Sequence, residues 1–559
     1  MKPPESLDAY RAAGVIGRDD IAAATLLVEM AGRDGAPEPE PLGWLGLCLA
    51  LRTVRDGHTC VDFGAIEAWR GEIEPEAKES LLWPTQPVDW IEPIEKAAAL
   101  VGKPGDRRPF ILDGQRLYLA RAHAEEVSIA DAITARATKG TIRILLGGPG
   151  TGKTTRVAQD LVRLFEDAGD HDAKPSVALA APTGKAAARM AEAIQKACAS
   201  NAVEGSRDVI DSILQLKPTT VHALLGSNPS RGDRYTYDAR DRLPFKLVIV
   251  DEASMLSSSL LHHLLAAGAG DATLMLVGDP DQLASVDAGT ALGDIAVFGR
   301  PEHEGTPLYR CIKTLTKCHR TESEEILALA HAIREGEPDR AMKLLRSAGT
   351  AVTWVDPAEK KRLDEVTTTV VDHARQLRAL ARGTDVKAVL EQQRELQVLC
   401  AHREGPMSVA DWNRRVEKQL DIRPGFPWYT GRPVMITRNS RSLRLANGDV
   451  GVVMSGGNIR IAAFGITDVG GLPLELPVSR LEDIETVHAL TIHKSQGSEY
   501  GHAVVVLPER ASRIVTRELL YTAITRARKH VTVVGSRDVI EAAIKTPIRR
   551  ATGLASRLV

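Results

Sequence analysis

The chain has 559 residues, 43% hydrophobic and 26% charged, with a formal net charge of −2. That is ordinary globular composition, and it excludes a disordered chain, a fibrous repeat and a small disulfide-stapled scaffold. At roughly 150 residues per domain the length predicts three or four domains, and no apolar run reaches the ~18 residues that cross a bilayer.

The charge is unevenly spread. Residues 1–100 hold 9 basic and 18 acidic side chains, whereas residues 501–559 hold 11 basic and 4 acidic ones. A polyanion such as DNA is repelled by the first stretch and attracted by the last; two solvated surfaces of opposite sign give the same pattern. Apolar spacing predicts helices over 21–30 and 44–54, separated by a Gly/Pro/Glu-rich loop at 33–41. No catalytic motif falls here, so this segment reads as an acidic helical docking module. The N-terminal MKPPESLDAY lacks an apolar signal core, and a cytoplasmic location is expected.

Residues 108–119 read as a short hairpin leading into a helix. Short apolar strands then alternate with helices, at 142–146, 177–181, 247–250 and 274–277, and again at 395–400, 503–507 and 531–534. Buried strands separated by helices predict an α/β fold with parallel sheets. Residues 428–484 are rich in β-branched residues and glycine, with little helical periodicity. They predict a small β-barrel inserted into the second α/β series.

Residues 147–154 read GGPGTGKT, a full G-x-x-x-x-G-K-[ST] match between a predicted strand and a predicted helix. Gly147, Gly148, Gly150 and Gly152, with Pro149 and Thr151 among them, let backbone N–H groups face phosphate oxygens. The helix that opens beside Thr154 and Thr155 adds the positive end of its dipole. In that geometry Lys153 reaches the β- and γ-phosphates of ATP, and the Thr154 hydroxyl binds Mg²⁺. The strand at 247–250 ends in Asp251 and Glu252: the first suits Mg²⁺, the second suits a general base on the attacking water. A third strand ends in GDPDQ, where the Gln282 amide can orient water or report the γ-phosphate. Arg320 follows the first α/β series and Arg526 lies in the second. A guanidinium stabilises charge that develops in phosphoryl transfer; the residues alone leave open whether these two do so or form surface ion pairs. The six cysteines include no C-x-x-C pair, and Cys311, Cys318 and His319 lack the second ligand pair of a zinc site.

Taken in order, these segments resemble the RecD family of superfamily 1 helicases, of the 5′→3′ class. GGPGTGKTT (147–155) is similar to motif I, APTGKAAARM (181–190) to motif Ia and TVHALLG (220–226) to a further family segment. VDEASM (250–255) is similar to motif II, VGDPDQLASVDAG (277–289) to motif III, and Arg320 falls at motif IV. TIHKSQGSEY (491–500) is similar to motif V and YTAITRAR (521–528) to motif VI. REGP (403–406) with Asn413, WYTGRPVMI (428–436) and NGDVG (447–451) point the same way. The resemblance is strong over 108–559 and weaker over 1–100. The chain departs from the family in having no Gln at 128–133 to read adenine, and in carrying His319 where an aromatic often precedes the motif IV arginine.

The resemblance implies two RecA-like parallel-sheet P-loop domains with an inserted SH3-like β-barrel and an N-terminal helical domain. Its boundaries fall at 1–105 for the acidic docking domain, 106–310 for the first RecA-like domain, 311–425 and 485–559 for the second, and 426–484 for the insert. Residues 226–244 are a candidate pin hairpin that splits the duplex. Pro182, Thr183, His222, His493 and Ser495 would lie on the single-strand track, with Lys185 and Lys494 near it. The implied activity is ATP-driven 5′→3′ translocation on DNA, starting from a single strand at a duplex end. The implied partners are RecB-like and RecC-like subunits, in a heterotrimeric exodeoxyribonuclease V that serves double-strand break repair and recombination. The nuclease centre is expected in a partner, and Glu359-Lys-Lys reads as a solvated helix face. Two other readings stay open: a stand-alone RecD-like helicase, and a structural subunit switched by ATP.

Overall fold

The computed structural model describes residues 3–33, 35–70, 81–167, 175–200, 203–228, 234–317, 323–347, 349–423, 427–440, 442–456, 459–467 and 473–558. Four sheets organise them. Two are wholly parallel, and these position the candidate site.

The N-terminal unit packs the helices Ser6–Ala12, Arg18–Arg33, Pro41–Thr53 and Pro87–Glu95 against a four-stranded sheet. Its strands run in the order Cys60–Asp62, Arg116–Leu119, Phe110–Asp113, Val101–Gly102. Trp44, Trp90, Phe63 and Phe110 are fully buried between helices and sheet. The boundary expected at 105 therefore moves to the end of the strand Arg116–Leu119, and the helical unit expected here also carries a small sheet. The strands Phe110–Asp113 and Arg116–Leu119 pair around a two-residue turn with Gly114 at φ +60°. A two-residue hairpin loop favours such a left-handed residue. This hairpin completes the N-terminal core rather than opening the next domain.

The first parallel sheet has the order Ile312–Leu315, Ile142–Gly147, Thr273–Gly278, Leu247–Val250, Val177–Ala181, Thr219–Thr220. Its core strands are the four predicted from the sequence. Ile312–Leu315 lies beyond the expected boundary at 310, yet it pairs in parallel with 144–147 and so belongs to the first lobe. The second parallel sheet has the order Val352–Val355, Ala527–Val534, Tyr500–Val506, Leu396–Cys400, Ala489–Thr491. In both lobes the strands' C-terminal ends share one edge, where loops gather polar groups.

The insert forms a five-stranded antiparallel sheet, ordered Pro473–Pro477, Ile459–Thr467, Val450–Gly456, Pro433–Ile436, Ile484–Thr486. Val434, Val453 and Phe464 are its buried centre. Among the described residues its two end strands do not pair with each other, so the expected barrel is seen as an open sheet. Of the candidate pin, 229–233 lie outside the described residues, and the described flanks 226–228 and 234–244 form turns and bends.

The C-terminal residues depart from the expected plan. Residues 489–545 complete the second lobe, but the tail crosses back. Leu554 and Leu558 are buried in the first lobe's core, and the Thr59 N–H donates to the Ala551 carbonyl at 3.0 Å. No described helix is long and apolar enough to cross a membrane. Within the second lobe, Trp412 is fully buried among Val398, Val416 and Val504. Trp412→Ala should cost about 3–5 kcal/mol by lost burial and the cavity left behind, read as a lower urea midpoint for that lobe.

Candidate nucleotide site in the cleft between the parallel sheets

The strand Ile142–Gly147 delivers its chain into the glycine loop, and the helix Lys153–Asp167 leaves from it. Gly150 at φ +74° and Gly152 at φ +82° take the left-handed turns that the loop requires. The Thr151 hydroxyl donates to the Gly148 carbonyl at 2.8 Å. Lys153 Nζ donates to the carbonyls of Gly147 at 2.6 Å and Gly148 at 3.0 Å, which holds the ammonium against the loop.

Opposite the loop, the strand Leu247–Val250 ends in the two predicted acids. The Glu252 N–H donates to Asp251 Oδ1 at 2.9 Å. Glu252 itself has φ +52°, a strained conformation for a residue with a Cβ and a common one at functional sites. Burial pushes the Asp251 carboxyl up to about 6; the charge of Glu252 adds to this and Lys153 opposes it. Burial also raises Asp279, again against the pull of Lys153.

The third strand end carries a network that spans both lobes. Gln282 Nε2 donates to Asp279 Oδ2 at 2.9 Å. Arg526, from the second lobe, donates from Nη2 to Gln282 Oε1 at 3.1 Å. The Tyr521 hydroxyl, also from the second lobe, donates to Asp279 Oδ2 at 3.3 Å. Arg526 is 4% exposed; its Nε also donates to the Thr522 carbonyl at 3.0 Å, its Nη1 to the Ser498 carbonyl at 3.2 Å and its Nη2 to Thr525 Oγ1 at 3.4 Å. Two further bonds seal the contact. The Leu283 N–H donates to Thr522 Oγ1 at 3.0 Å, and Gln496 Nε2 donates to the Leu283 carbonyl at 3.0 Å.

These groups line one cavity of about 570 Å³, with Pro149 to Thr155, Asp251, Glu252 and Gln282 on one wall and Arg394, Gly497, Arg526 and Arg528 on the other. Lys153 and Arg526 thus face a common crevice. Arg320 lies outside the described residues. Sequence reasoning passed over Asp279, Tyr521, Arg189, Arg394 and Arg528. The first two and Arg528 stood inside segments already singled out, and Arg189 sat in APTGKAAARM. Arg394, in the last turn of the helix Val386–Glu395, carried no local signal.

The residues expected on the strand track scatter in environment. Pro182 is half-buried, and Thr183 caps the helix Gly184–Ala199, its Oγ1 accepting from the Ala186 N–H at 3.2 Å. His222 is exposed, its ring 6.3 Å from that of Tyr235. His493 is half-buried; burial first, and then the charge of Arg550, hold it below the usual imidazole range. Lys494 Nζ donates to Glu485 Oε2 at 3.0 Å. Ser495 is fully buried, its hydroxyl donating to the Ile492 carbonyl at 2.7 Å. Lys185 sits where the first lobe meets the insert, with its Cδ 3.9 Å from where a Cβ on Gly448 would stand. Burial and then Arg189 lower its ammonium to about 7, while Asp449 opposes them.

Family models match in three places: an AAA domain over residues 128–356, a UvrD-like helicase C-terminal domain over 486–534, and the N-terminal domain of RecBCD enzyme subunit RecD over 12–118. The chain is 39% identical to the RecBCD enzyme subunit RecD of Mycolicibacterium smegmatis, over 94% of this chain and 95% of that relative. It belongs to the RecD family. The RecBCD enzyme subunit RecD of Mycobacterium tuberculosis H37Rv is 38% identical, over 98% of this chain and 96% of its own length. The ATP-dependent RecD2 DNA helicase of Deinococcus radiodurans is 30% identical over 78% of this chain and 52% of its own length. The RecD N-terminal match ends at 118, within the last strand of the N-terminal sheet. The AAA match covers the glycine loop, and a P-loop fold of this kind binds nucleotide.

The lowered Lys185 pKa has a consequence for stability. Between pH 7 and the ordinary lysine value of 10.5, the unfolded chain binds more protons here than the folded chain, so this group makes folding more favourable as pH rises. Urea midpoints compared at pH 7 and pH 9 should therefore rise more, or fall less, for the wild type than for Lys185→Met. Equal pH responses would place the ammonium in a fully solvated setting.

Proposed function

We propose that this chain is an ATP-dependent 5′→3′ DNA helicase acting as the RecD subunit of a RecBCD-type exodeoxyribonuclease V in double-strand break repair. The observation that carries the mechanism is the Arg526–Gln282 bond at 3.1 Å, formed across the cleft that Lys153 also lines. A nucleotide bound between the lobes can link their positions to its own phosphates.

Lys153 leaves the loop carbonyls and takes the β- and γ-phosphates. Thr154 and Asp251 line the same cavity and offer a hydroxyl and a carboxylate, the hard oxygens that Mg²⁺ prefers. Mg²⁺ held by these two residues would supply charge neutralisation for the transferred phosphoryl group. Glu252 takes the proton of the attacking water. Gln282 reports the γ-phosphate, and Arg526 moves its charge onto the transition state. Arg320 supplies a second guanidinium on the motif IV reading.

Pro182, Thr183, His222 and His493, with Lys494, form the strand-facing surface; Ser495 braces the turn behind it through the Ile492 carbonyl, and Lys185 lies at its buried edge beside the insert. Closing on ATP and opening after hydrolysis alternates the grip of the two lobes and advances the chain toward the strand's 3′ end. The acidic N-terminal unit docks on RecB-like and RecC-like subunits in the cytoplasm, and a partner holds the nuclease.

Glu252→Gln should lower DNA-stimulated ATPase kcat by about 10²–10⁴-fold, the usual weight of a general base, while ADP binding measured by fluorescence stays within about twofold. On tailed duplexes the wild type should displace the strand from a 5′ tail. Preference for a 3′ tail would reverse the polarity assigned here. ATP turnover unaffected by single-stranded DNA would make the chain a nucleotide switch, and full unwinding by a chain that purifies without partners would make it a stand-alone helicase.

A further inference from the structure

The loop that carries Gln282 is one irregular span between the strand Thr273–Gly278 and the helix Ala291–Ala296. Its near end is fixed from the second lobe by Arg526. Its far end is fixed by a second arginine, outside every motif, in the tail that crosses back from the second lobe. Arg550 donates from Nη2 to the Ser285 carbonyl at 2.5 Å, and from Nη1 to the carbonyls of Asp287 at 2.7 Å and Gly289 at 3.0 Å. A guanidinium that satisfies three alternate carbonyls of one loop defines the path of that loop, because its donors are set in a rigid plane.

The surroundings leave this arrangement little slack. The Gly289 N–H donates to the Gly57 carbonyl at 3.0 Å. A Cβ on Gly57 would stand 2.9 Å from Arg550 Cζ, so that glycine is the gap through which the guanidinium passes. The neighbouring tail residues are tied down separately. The Ala551 N–H donates to His58 Nδ1 at 2.8 Å, Thr552 Oγ1 to Asp294 Oδ2 at 2.8 Å, and the Gly553 N–H to Glu126 Oε2 at 3.1 Å. The tail therefore keeps its place without Arg550, and the three carbonyl bonds act on the loop.

The geometry points to Arg550 as a positioning residue for ATP hydrolysis: it fixes the far end of the motif III loop and so presents Gln282 to the γ-phosphate and to Arg526. This rests on the γ-phosphate role of Gln282 proposed above. It also places the N-terminal unit, through Gly57 and His58, at the joint that sets that loop.

The test uses the full chain at saturating single-stranded DNA, with steady-state ATPase and thermal melting of each variant. Arg550→Met should lower kcat about tenfold with KM for ATP within about twofold, the split expected when a transition-state contact is misplaced and ground-state binding is kept. Arg550→Lys, which keeps the charge and part of the donor set, should recover some of the loss. In a Gln282→Ala background, Arg550→Met should add less than about twofold, because residues that act through one contact are not additive. A folded Arg550→Met chain with wild-type kcat overturns the proposal, as does a full extra loss on top of Gln282→Ala. If Arg550→Met does not fold, Arg550→Lys carries the same two readouts. A Gln282→Ala chain with wild-type kcat overturns the reading of Gln282 itself, and this proposal falls with it.

Discussion

A buried guanidinium must find acceptors for all its donors, and Arg526 finds one of them only on the opposite lobe. Its bonds to Thr522 and Ser498 lie within its own lobe; the bond to Gln282 does not. Desolvating a cation is expensive unless each donor is matched, and a bond with one charged partner contributes about 1.5–3 kcal/mol. The position of one lobe relative to the other is thereby felt at that amide, beside the contacts of Tyr521, Thr522 and Gln496. Phosphate oxygens are stronger acceptors than an amide, so a γ-phosphate entering the cleft competes for the same guanidinium.

The rest of the cleft is arranged around that contact at some cost to stability. Asp251 and Asp279 are buried acids whose carboxyls are raised because their ionised forms lack water. Glu252 holds a left-handed backbone that a glycine would adopt more easily. A Cβ on Gly148 would stand 3.1 Å from the Tyr521 hydroxyl, so the glycine loop also makes room for the second lobe. These features are unfavourable in an isolated lobe and become useful only when the lobes meet over a charged ligand, as is common where function and stability compete.

Local chemistry was legible in the sequence, and long-range closure was not. The glycine loop is a contiguous eight-residue device, so its letters suffice. The acids at 251 and 252 and the amide at 282 were legible because apolar strands must end in polar turns at the same sheet edge. Arg526 could be named but not placed, because only the fold brings residues 282 and 526 together. Asp279 and Tyr521 stood in plain view inside recognised segments, yet their bond depends on both lobes. The strand Val352–Val355 was missed because four residues that include Thr353 and Trp354 give little periodicity. Ile312–Leu315 was assigned to the wrong lobe because sequence distance from the helical stretch ahead of it said nothing about its pairing with 144–147. The hairpin at 110–119 was seen as a hairpin but given to the wrong core, since alternation shows that a face is buried without saying against what.

The tail illustrates the same limit and changes how the lobes can move. The chain passes from the first lobe to the second once, between Leu315 and the helix Glu324–Arg334, and returns once, between Thr546 and Arg550. Two lobes joined by a single crossing can swivel about it in any direction. Two separate crossings define a line, and the easy motion left is rotation about that line. The return crossing is firmly rooted at both ends: the Arg517 N–H donates to the Thr546 carbonyl at 2.9 Å on one side, and Arg550 grips the motif III loop on the other. Rotation of the lobes therefore strains first the short segment between those anchors and the loop it holds. That loop also carries the amide that touches Arg526, so the contact between the lobes and the anchor of the return crossing lie on the same eleven-residue span, 279–289.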